Sequence, residues 1–372
     1  MVDSPSVLIL TAGFGDGHDS AARSLAEAVR LASGGRVAVV VADLFEDAAP
    51  VSGQFYKWVY CQLITHLPGL WHGLFKMTRT ADFAALWWDY FVGVGPALER
   101  RLAGQRPQVV VLTYPVYPYF LARLGAGVPR PRAVFMAVTD SITIHPIWLQ
   151  GRVDRLYVTD VYSQSVAVAG LAHAVPVEVS GFPVAPGFAG FPARAGEFDP
   201  AGLKVLYFAT TAGRHVTATL RGLLEHLPAG ARLTVVMGRH EARLRPVIED
   251  LLQAWPAKPV NLRGWSGGVP QLLMEHDVVI SKAGGATVHE CFAAGVPVIV
   301  NYIIPGQEEG NAELLERLGC GCRSMVPAET GRLLAGLVSG GGLAAMRRAM
   351  AVNRRADGAL RIAHDVLQAL DL

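Results

Sequence analysis

Apolar residues follow two alternating rhythms along this chain. Short runs dominated by Val, Ile and Leu occur at 7–10, 37–41, 109–112, 133–138 and 156–159, then at 205–208, 233–237, 278–281 and 296–300. Almost no polar residue interrupts them, as expected of strands buried on both faces of a parallel sheet. The intervening segments carry a helical period, as where Ala22, Leu25, Ala26 and Val29 fall on one face. This alternation predicts an α/β chain with two doubly wound halves, the first five runs in one parallel sheet and the last four in another. Residues 181–202 are rich in Gly, Pro and Phe without a helical period, which predicts an interdomain linker. The expected domains are therefore 1–185 and 186–372, with the last helix a candidate to pack back on the first domain. Gly340-Gly-Gly342 is expected to break a helix ahead of the C-terminal one.

Composition narrows the class. A length of 372 residues fits two or three domains. Hydrophobic residues make up 51% of the chain, yet no apolar run reaches the roughly 18 residues of a membrane span. The segment 83–98 is too short and contains Asp89 and Pro96. The N-terminus has no basic region and only a four-residue apolar run, so no signal peptide is expected. Cys61, Cys291, Cys320 and Cys322 form no C-x-x-C, and the last two fall in an expected turn. They read as reduced thiols of a cytoplasmic protein. A net charge of +2 without a basic run argues against a nucleic-acid partner. Residues 51–100 hold Trp58, Trp71, Trp87 and Trp88 with Lys57, Lys76 and Arg79. They fit either an aromatic helical subdomain packed on the first sheet or a surface that docks on a bilayer interface.

Candidate chemistry gathers in loops that follow strands, which in parallel sheets share the carboxyl edge where ligands bind. After 278–281 come Lys282, Gly284, Gly285 and Thr287. The glycines can bring bare N–H groups against an anion at a helix start, with Lys282 beside them as a cation. Glu290 lies three residues past Thr287 on the same helical face, placed to accept two ribose hydroxyls. After 296–300 come Pro305, Gly306, Gln307, Glu308 and Asn311, a cluster suited to a polyhydroxylated ligand. A nucleotide-sugar site fits this set. Near the N-terminus, Gly13-Phe-Gly-Asp-Gly17-His18 follows the first strand. Histidine at 18 breaks the G-x-G-x-x-G spacing of dinucleotide folds and places a titratable imidazole at the sheet edge, suited to remove a proton from an alcohol. The bland alternative is a histidine capping the following helix. No D-x-D and no paired histidines occur, so neither a metal nor another cofactor is expected. Helix N-termini and cations would then neutralise a diphosphate. Gly264-Trp265-Ser266-Gly-Gly268 matches the G-x-S-x-G of hydrolases but lacks a convincing acid and histidine downstream, His364 being poorly placed.

These motifs, in this order and spacing over about 300 residues, resemble the family of monogalactosyldiacylglycerol synthases and processive diacylglycerol glucosyltransferases, related to the peptidoglycan N-acetylglucosaminyltransferase. The stretches that carry the resemblance are Leu8 to His18, Val138-Thr-Asp140 with His145-Pro-Ile-Trp148, Val235 to Arg239, the Gly284 loop and the Pro305 turn. The resemblance implies a GT-B fold, two doubly wound Rossmann-like domains facing each other across a cleft. It implies an inverting transfer of a hexose from a UDP-sugar to diacylglycerol or a glycolipid, at the inner face of the cell membrane. It places the family's base at His18, puts Asp140, His145 and Trp148 near the acceptor, and lets Asp140 orient His18 or the acceptor hydroxyl. A buried Asp140 capping the strand end and a Trp148 packed beside proline are the structural alternatives. On the donor side it implies roles for Gly17, Gly213, Gly238, Arg239 and, through the uracil-contacting loop, Trp265. One departure is the 209–214 loop, Ala-Thr-Thr-Ala-Gly-Arg, with one glycine where relatives have two or three. Competing readings are a GT-B transferase with another acceptor, a UDP-sugar 2-epimerase, and a binder of UDP-sugars without activity. An epimerase has no use for the aromatic segment at 51–100, and a binder has none for His18.

Overall fold

A computed structural model describes residues 5–48, 59, 62, 63, 67–79, 93–192, 199–228, 230–264 and 268–372. The chain divides into two compact units. Unit 1 comprises Met1–Pro186, Pro305–Gly310 and Ala356–Leu372; unit 2 comprises Gly187–Ile304 and Asn311–Arg355.

Unit 1 is built on a parallel sheet of β1 (Ser6–Thr11), β2 (Ala38–Asp43), β3 (Val109–Leu112), β4 (Ala133–Ala137), β5 (Arg155–Val158) and β6 (Val177–Val179), in the order β2-β1-β3-β4-β5-β6. Alternate residues of one strand feed opposite cores. Leu8, Leu10, Val110 and Leu112 pack with Met136 and Trp148 on one face. Val7, Ile9, Val109 and Val111 pack on the other against Leu25 and Val29 of the helix Asp16–Ala32. The same core takes Ile362, Ala363 and Val366 from the C-terminal helix Gly358–Ala369. That helix starts so close to the chain at Phe182 that a Cβ on Gly358 would strike the Phe182 carbonyl.

Unit 2 repeats the plan with β7 (Lys204–Phe208), β8 (Arg232–Val236), β9 (Val260–Arg263), β10 (Val278–Lys282), β11 (Val298–Tyr302) and β12 (Gly321–Arg323), ordered β12-β11-β10-β7-β8-β9. Counted from β7, this is the 3-2-1-4-5-6 order of doubly wound folds. Val205, Tyr207, Val235, Ile280 and Ile299 meet Val216, Leu220 and Leu223 of the helix Gly213–His226 in its core.

Nine strands fall where the apolar runs predict them. The three without such a run, β6, β9 and β12, are sheet edges of three or four residues carrying Glu178, Asn261, Arg263 or Arg323. The expected turn at Cys320–Cys322 is a correction of this kind: Cys322 lies in β12, paired with Ile299, and Cys320 is buried beside it. The helix break at the triple glycine is observed, between the helices Thr330–Ser339 and Gly342–Val352. Of the aromatic segment, Trp58, Trp87, Trp88, Lys57 and Cys61 lie outside the described residues, and a helix Pro68–Met77 lies within them.

Candidate functional site

In unit 1 the strand order reverses between β1 and β3, the switch point where open α/β sheets bind ligands beyond their carboxyl ends. The loop after β1 turns through Gly15 (φ +119) into the helix Asp16–Ala32, whose first turn carries Gly17 and His18. Gly13 N–H donates to Asp43 Oδ2 at the end of β2 (2.9 Å), and Tyr117 OH donates to the Thr11 carbonyl (2.5 Å). The loop is thus tied to the end of β2 on one side and to the start of the helix Tyr117–Ala122 on the other.

His18 reaches across the switch point. Its Nδ1 lies 2.8 Å from the carbonyl oxygen of Thr113, just past β3, and 3.0 Å from Thr139 Oγ1, past β4. A carbonyl can only accept, so Nδ1 carries the proton and Nε2 keeps the lone pair. The ring sits between Tyr114 (centroids 5.1 Å apart, edge-on) and Trp148 (5.9 Å). Burial among these aromatics pushes the imidazole down to about 4, opposed by the Thr113 carbonyl. His18 is therefore neutral at physiological pH, with its free nitrogen a base.

Asp140 does not touch His18 through any of these hydrogen bonds. Its Oδ2 accepts from the Trp148 indole N–H (2.8 Å), and burial raises the carboxyl to about 6 against that bond. Orientation of His18 falls to the backbone of Thr113 and to Thr139 instead. Trp148 is buried in the core as well as bonded to Asp140. His145 is buried, with Nε2 3.0 Å from Thr78 Oγ1 at the end of the helix Pro68–Met77. The loop between them holds Ile142 at φ +54, a left-handed conformation that β-branched residues avoid. Ser163 Oγ secures it by accepting from Ile142 N–H (2.9 Å), and Ser163 in turn donates to Asp160 (2.6 Å). Pro305, Gly306, Gln307 and Glu308 belong to this unit, with Glu308 buried.

In unit 2 the switch point lies between β7 and β10. Both following helices begin without a side-chain cap, Gly213–His226 after Ala212 and Gly285–Ala294 after Gly284. Their first N–H groups and the positive ends of their dipoles are of the kind that can meet an anion. Lys282 closes β10 immediately before one of them. Thr287 and Glu290 follow on its helix, both half-buried. Asn311 is buried and its Nδ2 donates to the Ala283 carbonyl (3.0 Å), bracing the glycine loop from behind. Gly238 adopts φ +54 and leads into an exposed Arg239 after β8. Trp265 lies outside the described residues.

Sequence reasoning did not anticipate the Thr113 carbonyl, because a backbone acceptor leaves no mark on residue type. Its place just past the strand beside β1 is the signal that could have found it. Tyr207, His215 and Asn301 were missed too. Tyr207 OH, His215 Nε2, Asn301 Oδ1 and Thr211 Oγ1 are buried without a well-formed hydrogen bond, although Thr219, Asn301 and Thr211 lie near enough to the Tyr207 hydroxyl to act on it. A run read only as apolar conceals Tyr207, and Asn301 sits where a strand was expected to end.

Residues 18–184 match the family model described as monogalactosyldiacylglycerol (MGDG) synthase. Over 334 residues the chain is 29% identical to the processive diacylglycerol beta-glucosyltransferase of Bacillus pumilus, covering 86% of this chain and 83% of that one. Among solved structures it resembles MurG of Acinetobacter baumannii (TM-score 0.59, 13% identity, 98% and 99% of the two chains). A Listeria monocytogenes structure described as a UDP-N-acetylglucosamine 2-epimerase is similar at TM-score 0.63 and 11% identity, over 100% and 97% of the two chains. Both likenesses establish the GT-B type of fold.

Proposed function

We propose that this chain, whose residues 18–184 match the model of the monogalactosyldiacylglycerol synthase family, transfers a hexose from a UDP-sugar to the hydroxyl of diacylglycerol or a glycolipid with inversion. The observation that carries this reading is His18, neutral and locked with its lone pair on Nε2. Nε2 accepts the proton of the acceptor hydroxyl as its oxygen attacks the anomeric carbon. A base with a pKa near 4 is weak towards a resting alcohol. It suffices once the carbon has become oxocarbenium-like, because bonding to that carbon acidifies the hydroxyl. The anomeric bond to UDP breaks on the opposite face, which inverts the centre. The departing diphosphate takes the electron pair, and the uncapped helix starts at Gly213 and Gly285, with Lys282, stabilise its charge. Glu290 holds the ribose hydroxyls, Gln307 and Glu308 hold the hexose, and no metal is needed.

Diacylglycerol resides in bilayers, so the enzyme must work at a membrane surface. The helix Pro68–Met77 offers one. Leu70 and Met77, with Leu67 just before it, are 54%, 64% and 54% exposed, and Lys76 and Arg79 lie exposed beside them. An apolar edge flanked by cations suits an anionic interface. In this reading the protein sits peripherally on the cytoplasmic face of the membrane. The deciding experiment pairs radiolabelled UDP-hexoses with diacylglycerol vesicles and follows label into the lipid fraction. Label confined to water, or epimerised UDP-N-acetylhexosamine in its place, would overturn the assignment.

A further inference from the structure

The Pro305-Gly306-Gln307-Glu308 turn is packed directly on the helix Pro68–Met77. Gly306 has φ +83, and a Cβ there would lie 2.5 Å from Phe75 Cδ1. Glycine is demanded both by the backbone conformation and by the closeness of the ring. Phe75 stands in the last turn of the helix Pro68–Met77, and His145 meets its ring edge-on at 5.0 Å. Thr78 Oγ1 donates to the Phe75 carbonyl (2.9 Å) and lies 3.0 Å from His145 Nε2, while Ile147 N–H donates to His145 Nδ1 (3.3 Å). These partners fix His145 as a neutral latch with its proton on Nε2. At the other end of the turn, Gly310 N–H donates to Thr143 Oγ1 (3.1 Å), and a Cβ on Gly310 would collide with the Ser141 carbonyl. Phe75 and the 141–143 backbone therefore grip the turn at both ends.

We infer that Phe75 is a positioning residue for the donor hexose: by seating Gly306 it fixes the path of the turn that presents Gln307 and Glu308. This rests on the reading of that turn as the hexose site. Phe75 touches no reacting atom, so its loss should weaken recognition of the sugar without weakening recognition of the nucleotide.

The test compares steady-state kinetics of Phe75→Ala, Phe75→Leu, Gly306→Ala and Gln307→Ala with wild type, using UDP-glucose as donor and UDP as competitive inhibitor. Phe75→Ala and Gly306→Ala, which disturb one contact from its two sides, should each raise the donor KM about tenfold and leave the UDP inhibition constant within about twofold. Phe75→Leu, which still fills the space, should recover most of the loss. A donor KM unchanged in both variants overturns the inference. So does a parallel rise in the UDP inhibition constant, the mark of a general loss of structure. Thermal melts accompany the assays; if Phe75→Ala does not fold, Gly306→Ala and Phe75→Leu carry the comparison. Gln307→Ala separates the two layers. If it leaves the donor KM unchanged while Phe75→Ala raises it, the turn is not the hexose site. If it raises the KM and Phe75→Ala does not, the hexose site stands and the positioning role falls.

Discussion

His18 and Asp140 are both titratable groups beside the proposed acceptor position, and their environments push them in opposite senses. Burial lowers the imidazole to about 4 and raises the carboxyl to about 6. If His18 is the base, kcat/KM should stay level from neutral pH down to about 5 and fall only on approach to 4. An acid limb near 6 that disappears in Asp140→Asn would move the base to the carboxylate. His18→Ala should lower turnover by about 10²–10⁴ with little change in donor binding. The same shifts act on stability with opposite signs. His18 is held below its unfolded value of 6.5, so the stability it contributes is present above pH 6.5 and is lost as pH falls through about 4. Asp140 is held above 3.8, so its contribution is present below that pH and is lost as pH rises through about 6. Melting curves of His18→Gln should therefore lose less stability than wild type between pH 6.5 and 4. On the donor side, Glu290→Gln keeps the volume and removes the charge that the ribose hydroxyls would meet. UDP binding should weaken by about 1.5–3 kcal/mol, the range for hydrogen bonds to charged groups. Calorimetry with UDP reads this directly, and an unchanged affinity removes Glu290 from the site.

At the scale of elements, a buried ion pair ties the helix Gly342–Val352 to the sheet of unit 2. Arg347 Nη1 donates to Asp277 Oδ1 (2.8 Å), and Asp277 Oδ2 accepts from Lys204 N–H at the start of β7 (2.9 Å). Both side chains are at most 14% exposed. Arg347→Met leaves the carboxylate without its cation and should cost about 3–5 kcal/mol. Asp277→Asn with Arg347→Met should recover part of that, as thermal melts would show. Elements of this sort divide by how far their residue types betray them. The long strands were legible because continuous Val, Ile and Leu leave only two-sided burial as an explanation. β6, β9 and β12 were not, because an edge strand is half-wet and pairs through backbone groups that any residue carries. The N-terminal glycine loop was legible for the converse reason, since Gly15 at φ +119 meets a requirement that few other residues satisfy. Gly284, at φ −64, meets no such demand, and its loop was legible only from its place between a strand and a helix. His145 was placed near the acceptor by the resemblance alone. Its contacts with Thr78 and Phe75, 67 and 70 positions away in sequence, are a product of the fold that no local pattern encodes.

For the molecule as a whole, the question is how a chain without a spanning helix among its described residues meets an acceptor that does not leave the bilayer. Its net charge of +2 is too small to hold it at a membrane by long-range attraction alone. The proposed peripheral binding would then combine local cations with apolar contact, and the helix Pro68–Met77 with the Arg79 that follows it offers both. Two dependences follow. Lys76 and Arg79 attract anionic headgroups through a screened interaction, so association should be stronger with phosphatidylglycerol than with phosphatidylcholine alone and should fall as salt rises from about 0.05 to 0.5 M. Leu67, Leu70 and Met77 contribute a part that salt does not screen. Leu70→Ser with Met77→Ser should lower the residual high-salt binding and leave the salt slope in place. Lys76→Gln with Arg79→Gln should flatten the slope and leave the residue. Vesicle flotation measures both, and water-miscible short-chain diacylglycerol provides the control. If these variants are impaired on vesicles and equal to wild type on the soluble acceptor, the helix serves the surface. Wild type that fails to float at low salt removes the docking role from this helix and leaves it as support for the turn at Gly306.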